Sequence, residues 1–230
     1  MQGIFTHFSE ADIADKEWAH EQHSRFSAFI DALKGAGVTF NIHHCCNSAG
    51  TLELPDFHRE MIRPGIIQYG YDASKEVLVT GTKIKPVMSL RCCITHLKTI
   101  YEGDCVGYGR HFTAKGPTKI ATLPIGYADG YNRALSSKID VIVHGVRAHQ
   151  VGNICMDQCM IDVSHIPDVK VGDEVVLFGE QGSECVSADE IADTCHTIIH
   201  EITCNINRRV PRVYVQNGKI VQRLEYLTQS

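Results

Sequence analysis

The sequence has no apolar run near the roughly 20 residues that a membrane-spanning helix needs. Its opening, MQGIFTHFSEAD, has neither a basic stretch nor a long apolar one, so no secretory leader is expected and a cytoplasmic setting is. There is no excess of positive charge. With a net charge of −5 and a pI near 6.2, nothing favours nucleic acid or an anionic membrane as a partner. Internal repeats, low-complexity tracts and flexible linkers are missing as well.

The chain also has no CxxC pair, although it holds ten cysteines. Their spacing does not suggest a secreted disulfide framework, and a chain of 230 residues with 43% hydrophobic content can build a core without one. Most of the ten are therefore read as small buried hydrophobes. Cys45-Cys46 and Cys92-Cys93 are adjacent pairs, and neighbours on a strand point to opposite faces, which makes a poor chelate. His43-His44-Cys45-Cys46 is the best metal candidate. It has no second ligand pair at a recognisable spacing, and His165, His196 and His200 are too scattered to supply one, so no metal is expected.

The chain changes character near residue 80. Before it, Gly3–Phe8 reads as a strand and Asp15 as the cap of a helix reaching about Lys34, with Trp18, Phe26, Phe29, Ile30 and Leu33 as its apolar face. Gly35 and Gly37 stop that helix. Val38–His43 reads as a second strand and 48–53 as a short helix ended by Pro55. Met61-Ile62 and Ile66–Tyr69, around Pro64-Gly65, mark a third βα unit. Beyond residue 84 short β-branched runs take over: Val87–Leu97, Lys119–Pro124, Val141–Val143, Met160–Val163 and Glu174–Phe178. Ser187 and Glu190 form a capping box for one helix, whose apolar face continues through Ile191, Cys195, Ile198 and Ile199. Arg208–Val215 and Lys219–Leu224 close as strands around Gln216-Asn217-Gly218.

The expected fold is α/β plus all-β. A partial β/α (TIM-type) barrel segment, residues 1–82, precedes a C-terminal β-domain, residues 83–230. A closed barrel takes about 250 residues, and three parallel strands cannot close one or cover their own apolar faces. The first part should therefore lean on a partner or expose apolar surface.

Several segments carry chemistry at strand ends and turns. Thr6-His7-Phe8 follows the first strand, Asn47-Ser48-Ala49 the second, and Arg63-Pro64-Gly65-Ile66 lies near the third. A Ser hydroxyl with Gly-permitted backbone N–H groups suits a phosphate; a Ser helix cap and an ordinary Pro-Gly turn would read the same. Gly107-Tyr108-Gly109 sets a tyrosine between two permissive residues, and Gly126–Tyr131 and Cys155–Gln158 are further loops. A tyrosine has an unperturbed pKa near 10, so acting as a base near neutrality needs a cation or strong donor beside it.

In this order, THFSEAD, HCCNSAG, MIRPGIIQYG, VGYGRHFTA, IATLPIGYADGY, VGNICMDQCMIDV, VGDEVVLFGEQG and INRRVPRVY resemble consecutive motifs of the alanine racemases, over nearly the whole chain to about residue 215. The resemblance implies an isomerase that holds pyridoxal 5'-phosphate in a β/α barrel followed by a β-domain. It implies head-to-tail homodimers in which the second base comes from the partner's β-domain. Racemisation takes the α-proton from one face and returns one to the other, so acid/bases on opposite sides suit it, and the cofactor delocalises the carbanion.

By resemblance Tyr108 is the tyrosine base. Ser48 and the backbone of Gly65 and Ile66 are phosphate contacts, Arg63 faces the pyridine nitrogen, and His7 lies near the ring. An always-charged guanidinium there disfavours ring protonation and tempers the electron sink. Met156, through its N–H, contacts the substrate carboxylate, and Tyr127, Arg133 and Asp157 line the narrow mouth of the site. Two departures stand out. His200, in Thr197-Ile198-Ile199-His200-Glu201, occupies the place of a phosphate-binding tyrosine, which makes that contact sensitive to pH. No Lys-Ala-Asn/Asp-Ala-Tyr-Gly string, the family's site for its cofactor lysine, is present, nor is the segment carrying an arginine that supports the tyrosine. The chain alone is therefore expected to show no appreciable racemisation. A non-catalytic binding or assembly module of racemase ancestry, and a racemase for another small amino acid such as serine, remain open.

Overall fold

The computed structural model describes residues 2–76 and 84–227. By internal contacts the chain divides into two units, Met1–Val87 and Met88–Ser230. The boundary expected between 82 and 83 lies outside the described residues.

The first unit contains one parallel βαβ element. β1 (Gly3–Phe5) pairs with β2 (Ile42–His44), Gly3 opposite Ile42, and α1 (Glu17–Gly35) makes the crossover. α2 (Ser48–Glu53) follows β2. The strands are shorter than the sequence pattern suggests, and Asp15 accepts from the Glu17 N–H (2.9 Å) from one position before the Lys16 cap. Ala19 and Phe26 are buried with Phe8, Cys45, Cys46, Ala49, Leu54 and Phe57, and Ile30 packs against them. Trp18 and Phe29, expected on the same face, are 43% and 56% exposed. Each precedes a member of the buried stripe by one residue, and one residue turns a helix by about 100°; both therefore fall on one solvent-facing edge. The third expected βα unit is absent among the described residues. Ile66–Tyr69 is a 3-10 turn ended by Gly70 at φ 80°, where a Cβ would lie 1.8 Å from the Lys85 carbonyl oxygen.

The second unit is built on an eight-stranded antiparallel sheet. Its strands are β3 (Leu90–Cys93), β4 (His96–Ile100), β7 (Thr118–Leu123), β8 (Asp140–Val143), β9 (Val146–Val151), β10 (Cys159–Asp162), β11 (Glu174–Gln181) and β12 (Glu184–Val186). They run in the order β12-β11-β8-β9-β10-β7-β4, with β3 also on β11. β5 (Cys105–Val106) and β6 (Phe112–Thr113) form a small separate ladder. Val141, Ile142 and Val143, and Val175 through Phe178, are all buried, so both faces of β8 and β11 are covered.

α3 (Ala188–Cys195) and α4 (Ile199–Asn205) follow the sheet. Ser187 Oγ accepts from the Glu190 N–H (3.1 Å), but the Glu190 carboxylate turns to Arg147 (2.8 Å), so only half of the expected capping box forms. His196, at φ 55°, ends α3, and Ile198 is left 62% exposed rather than on its apolar face. Ser187→Ala should lower stability by about 1 kcal/mol, read as a lower urea midpoint at unchanged slope; no change would show that the cap is not stabilising. β13 (Arg212–Gln216) and β14 (Lys219–Leu224) form the closing hairpin, with Asn217 and Gly218 at φ 51° and 74° in its turn.

The cysteines correct the sequence reading. Only Cys45, Cys46 and Cys159 are buried; Cys93, Cys185 and Cys204 are exposed and the other four are half-buried. Many sit at sheet edges and helix ends, where a small residue is tolerated without being enclosed.

Candidate active site

In the first unit the candidate residues gather around Arg63. Its backbone N–H donates to the Cys46 carbonyl (2.9 Å), and its Nη2 donates to the carbonyls of Thr6 (3.2 Å) and Cys45 (3.3 Å) and to His7 Nδ1 (3.1 Å). Its Nη1 donates to His44 Nδ1, and the guanidinium lies over the Phe5 ring. The ends of β1 and β2 supply these partners, so the parallel pairing is what positions the arginine. The sequence singled out His44 only as part of the metal candidate, not as a partner of Arg63.

Ser48 and Gly65 also meet. Ser48 is 6% exposed, and its Oγ accepts from the Gly65 N–H at 2.8 Å. Asn47, not Ser48, caps α2, with its Oδ1 accepting from the Gly50 N–H (3.0 Å). The ordinary helix-cap reading of Ser48 therefore fails. Its hydroxyl keeps a proton to donate, and the buried Ile66 N–H has no acceptor among the described residues. This donor set fits a phosphate group.

The metal candidate dissolves in the structure. His43 turns to Glu60 (3.0 Å), His44 to Arg63, and both thiols face the Phe57 carbonyl. Among the described residues no group of three or more His, Cys, Asp or Glu is placed to hold a metal ion. Lys16 is occupied too. Its Nζ donates to the carbonyls of Ala11 and Ile13 (2.6 Å each) and pairs with Glu53 (2.5 Å).

Burial, then the Arg63 charge, holds the His44 imidazole below its ordinary value near 6.5; burial and Arg59 do the same to His23. A lowered histidine means the unfolded chain binds the proton first. The stabilisation is complete above about pH 6.5 and is lost as pH falls toward the folded value. The thermal midpoint should therefore fall between about pH 7.5 and 5.5, and His44→Gln should flatten part of that slope. An unchanged slope in the variant would remove His44 from this account.

In the second unit Tyr108, Tyr127, Arg133, Met156 and Asp157 line one concavity of about 660 Å³. Tyr108 is 78% exposed, raised between Gly107 at φ 72° and Gly109 at φ 77°. Asn153 Nδ2 donates to its carbonyl (2.8 Å). Gln150, fully buried, donates to the carbonyls of Val151 and Gly152 (3.1 Å each) and accepts from the Ser137 N–H, anchoring the start of the same loop. The loop at Tyr127 is stitched to the loop at Met156: the N–H groups of Tyr127 and Ala128 donate to the carbonyls of Cys155 and Met156 (3.0 Å each). Arg209 clamps both loops, donating through Nε to Asp129 (2.6 Å) and through Nη2 to Asp157 (2.5 Å). The Met156 N–H has no acceptor among the described residues, which leaves it available to an anion. Asp129, Asn153 and Arg209 were not picked out in the sequence, because the partners that matter here lie far along the chain, and Gln150 was not picked out either. His200 lies elsewhere, exposed on the first turn of α4; it is Asn205, at the other end of that helix, that adjoins Tyr127 and Arg133.

Residues 87–214 match the family description "Alanine racemase, C-terminal domain" and residues 1–73 match "Alanine racemase, N-terminal domain". Alanine racemase 1 of Clostridium acetobutylicum is 46% identical over 227 residues, 99% of this chain and 59% of that protein. A solved alanine racemase of Clostridium difficile 630, in complex with cycloserine, is 42% identical with a TM-score of 0.92, over 99% of this chain and 60% of that one. The alanine racemase of Bacillus anthracis with bound L-Ala-P is 37% identical with a TM-score of 0.94, over 98% of this chain and 58% of that one. The chain thus spans about three fifths of the length of the relatives it matches. Matched over both domains, and alike in sequence and fold from end to end, the chain belongs to the alanine racemase family.

Proposed function

We propose that this chain supplies part of the β/α barrel and the β-domain of a pyridoxal-phosphate-dependent racemase that interconverts L- and D-alanine. The observation that carries the reading is that Tyr108 shares a concavity with the Met156 N–H, which has no acceptor among the described residues: a proton carrier beside a hydrogen-bond donor for an anion. When bound, the cofactor delocalises the carbanion left by removal of the α-proton. Ser48 and the N–H of Ile66 would hold its phosphate, Arg63 its pyridine nitrogen, with His7 beside the ring and His200 as a further phosphate donor. Arg63 is fixed by three carbonyl or imidazole contacts through one nitrogen, so it would bring its full charge without sacrificing a proton.

Tyr108 would move a proton at its hydroxyl on one face of the substrate, while the Met156 N–H orients the carboxylate. Tyr127, Arg133 and Asp157 would narrow the mouth and exclude water, with Arg209 holding Asp157 in place. The high exposure of Tyr108 and Met156 suits a surface completed by another chain, as in a homodimer. Ten thiols, none paired among the described residues, suit a reducing cytoplasm. The alanine-racemase relatives favour alanine over serine as substrate.

The proposal is tested by spectroscopy. Pyridoxal phosphate added to the 230-residue chain alone should give no absorbance of lysine-bound cofactor. Joined to the N-terminal segment of the Clostridium acetobutylicum relative, which supplies the missing lysine string, the same chain should give it. A lysine-bound signal from the chain alone would overturn this assignment.

A further inference from the structure

Cys45 and Cys46 lie just past the end of β2, where the chain turns into α2, so strand alternation does not separate their side chains. Their Sγ atoms are 3.9 Å apart, and both thiols donate to the one Phe57 carbonyl, at 3.3 and 3.4 Å. Both residues are 1% exposed. The other adjacent pair gives the contrast. Cys92 and Cys93 lie inside β3, where neighbours face opposite ways; one is half-buried and the other exposed.

We infer that Cys45 and Cys46 form a dithiol–disulfide site, oxidised by hydroperoxides to a bond between the two neighbours and restored by small thiols. The two sulfurs are unequal. Contact with the Cys46 sulfur holds the Cys45 thiol below its ordinary range, with Arg59 and Arg63 helping against burial; Cys46 is pushed up in turn. One sulfur is thereby suited to attack and the other to keep its proton until the second step.

In the first step the Cys45 thiolate attacks the hydroperoxide. An S–O bond forms, the O–O bond breaks, and the alcohol (or water) leaves with a proton. In the second the Cys46 sulfur attacks the Cys45 sulfur. An S–S bond forms, the S–O bond breaks, and water leaves with the Cys46 proton. Two thiols and one hydroperoxide become one disulfide, one alcohol and one water. A hydroperoxide is small enough to enter by local opening.

Adjacent Cα atoms are about 3.8 Å apart, below the roughly 4.4 Å at which disulfides usually begin. The bond would be strained, and strained disulfides are the easily reduced, regulatory kind. Its consequence falls on Arg63. The peptide that joins the two cysteines carries the Cys45 carbonyl, which accepts from Arg63 Nη2. Closing a ring across that peptide turns the carbonyl away and loosens the arginine. This last consequence alone rests on the proposed cofactor role of Arg63.

The test needs no racemase activity. The folded chain is treated with hydrogen peroxide, quenched by alkylation in denaturant, and digested. The peptide holding Cys45 and Cys46 should come out two hydrogens lighter and unalkylated, and dithiothreitol should restore both sites. The Cys92–Cys93 peptide should carry no such internal bond. In Cys46→Ser, Cys45 should stop at the sulfenic acid and be trapped by dimedone; should that variant fail to fold, the wild-type peptide mass still decides. Full alkylation of Cys45 and Cys46 at a dose that has consumed the exposed Cys93, Cys185 and Cys204 would overturn the site. So would Cys45 bonding to any cysteine other than Cys46. Either result leaves the racemase reading untouched, and failure of that reading leaves the dithiol test unchanged.

Discussion

Tyr108→Phe, made in this chain joined to the N-terminal segment of its Clostridium acetobutylicum relative, should slow racemisation by about 10²–10⁴-fold, the usual worth of a positioned acid/base. The hydroxyl is the only group removed, and the ring stands 78% exposed on a loop held by two positive-φ glycines, so folding should be unaffected. The loss should appear in kcat rather than KM, because Met156 and the rest of the concavity remain. A second readout separates lost chemistry from damage. With bases on opposite faces, exchange of the α-hydrogen with solvent deuterium should survive for one alanine enantiomer and disappear for the other. Equal loss for both enantiomers, or none for either, would remove Tyr108 as the second base.

Gly126→Ala should be nearly as damaging, for a purely spatial reason. Its φ of −151° is open to any residue, but a Cβ there would lie 2.2 Å from the Cys155 carbonyl oxygen and 2.5 Å from that of Met156. Both contacts are backbone, so one of the two stitched loops must shift. Overpacking of this kind costs about 1–3 kcal/mol. Displacement of a substrate-positioning group by about 1 Å can cost about 10²-fold in rate. The joined enzyme should therefore lose activity well beyond what its modest fall in thermal midpoint explains. Wild-type kinetics in Gly126→Ala would show that the Met156 loop does not set the reaction geometry.

The ordered motifs carried the family and the broad division into an α/β part and a β part, because glycine turns and β-branched runs are local signals. Local signals also produced the errors. Ile66–Tyr69 has strand-like composition, yet Pro64-Gly65 and the left-handed Gly70 fold it into a 3-10 turn. Trp18 and Phe29 were assigned to the core of α1 from hydrophobicity alone, and only helical phase shows them on an edge. Tyr108, Met156, Tyr127, Arg133 and Asp157 were legible as motif residues, and the structure brings them to one concavity. What aligns them was not legible. Arg209 meets Asp129 across 80 residues and Asp157 across 52, and the sequence shows no pairing at such a distance. His44 beside Arg63 is hidden in the same way, since only the parallel pairing of β1 with β2 brings His7 and His44 to the same guanidinium.

The central claim is that this chain brings the tyrosine side of a two-base racemase and needs a lysine from outside its 230 residues. The most direct measurement is conversion of L- to D-alanine, with pyridoxal phosphate present, by the purified chain and by the chain joined to its relative's N-terminal segment. The expected result is no appreciable conversion by the chain alone and clear conversion by the joined form. Conversion by the chain alone, or a joined form that binds the cofactor yet racemises nothing, would contradict the account.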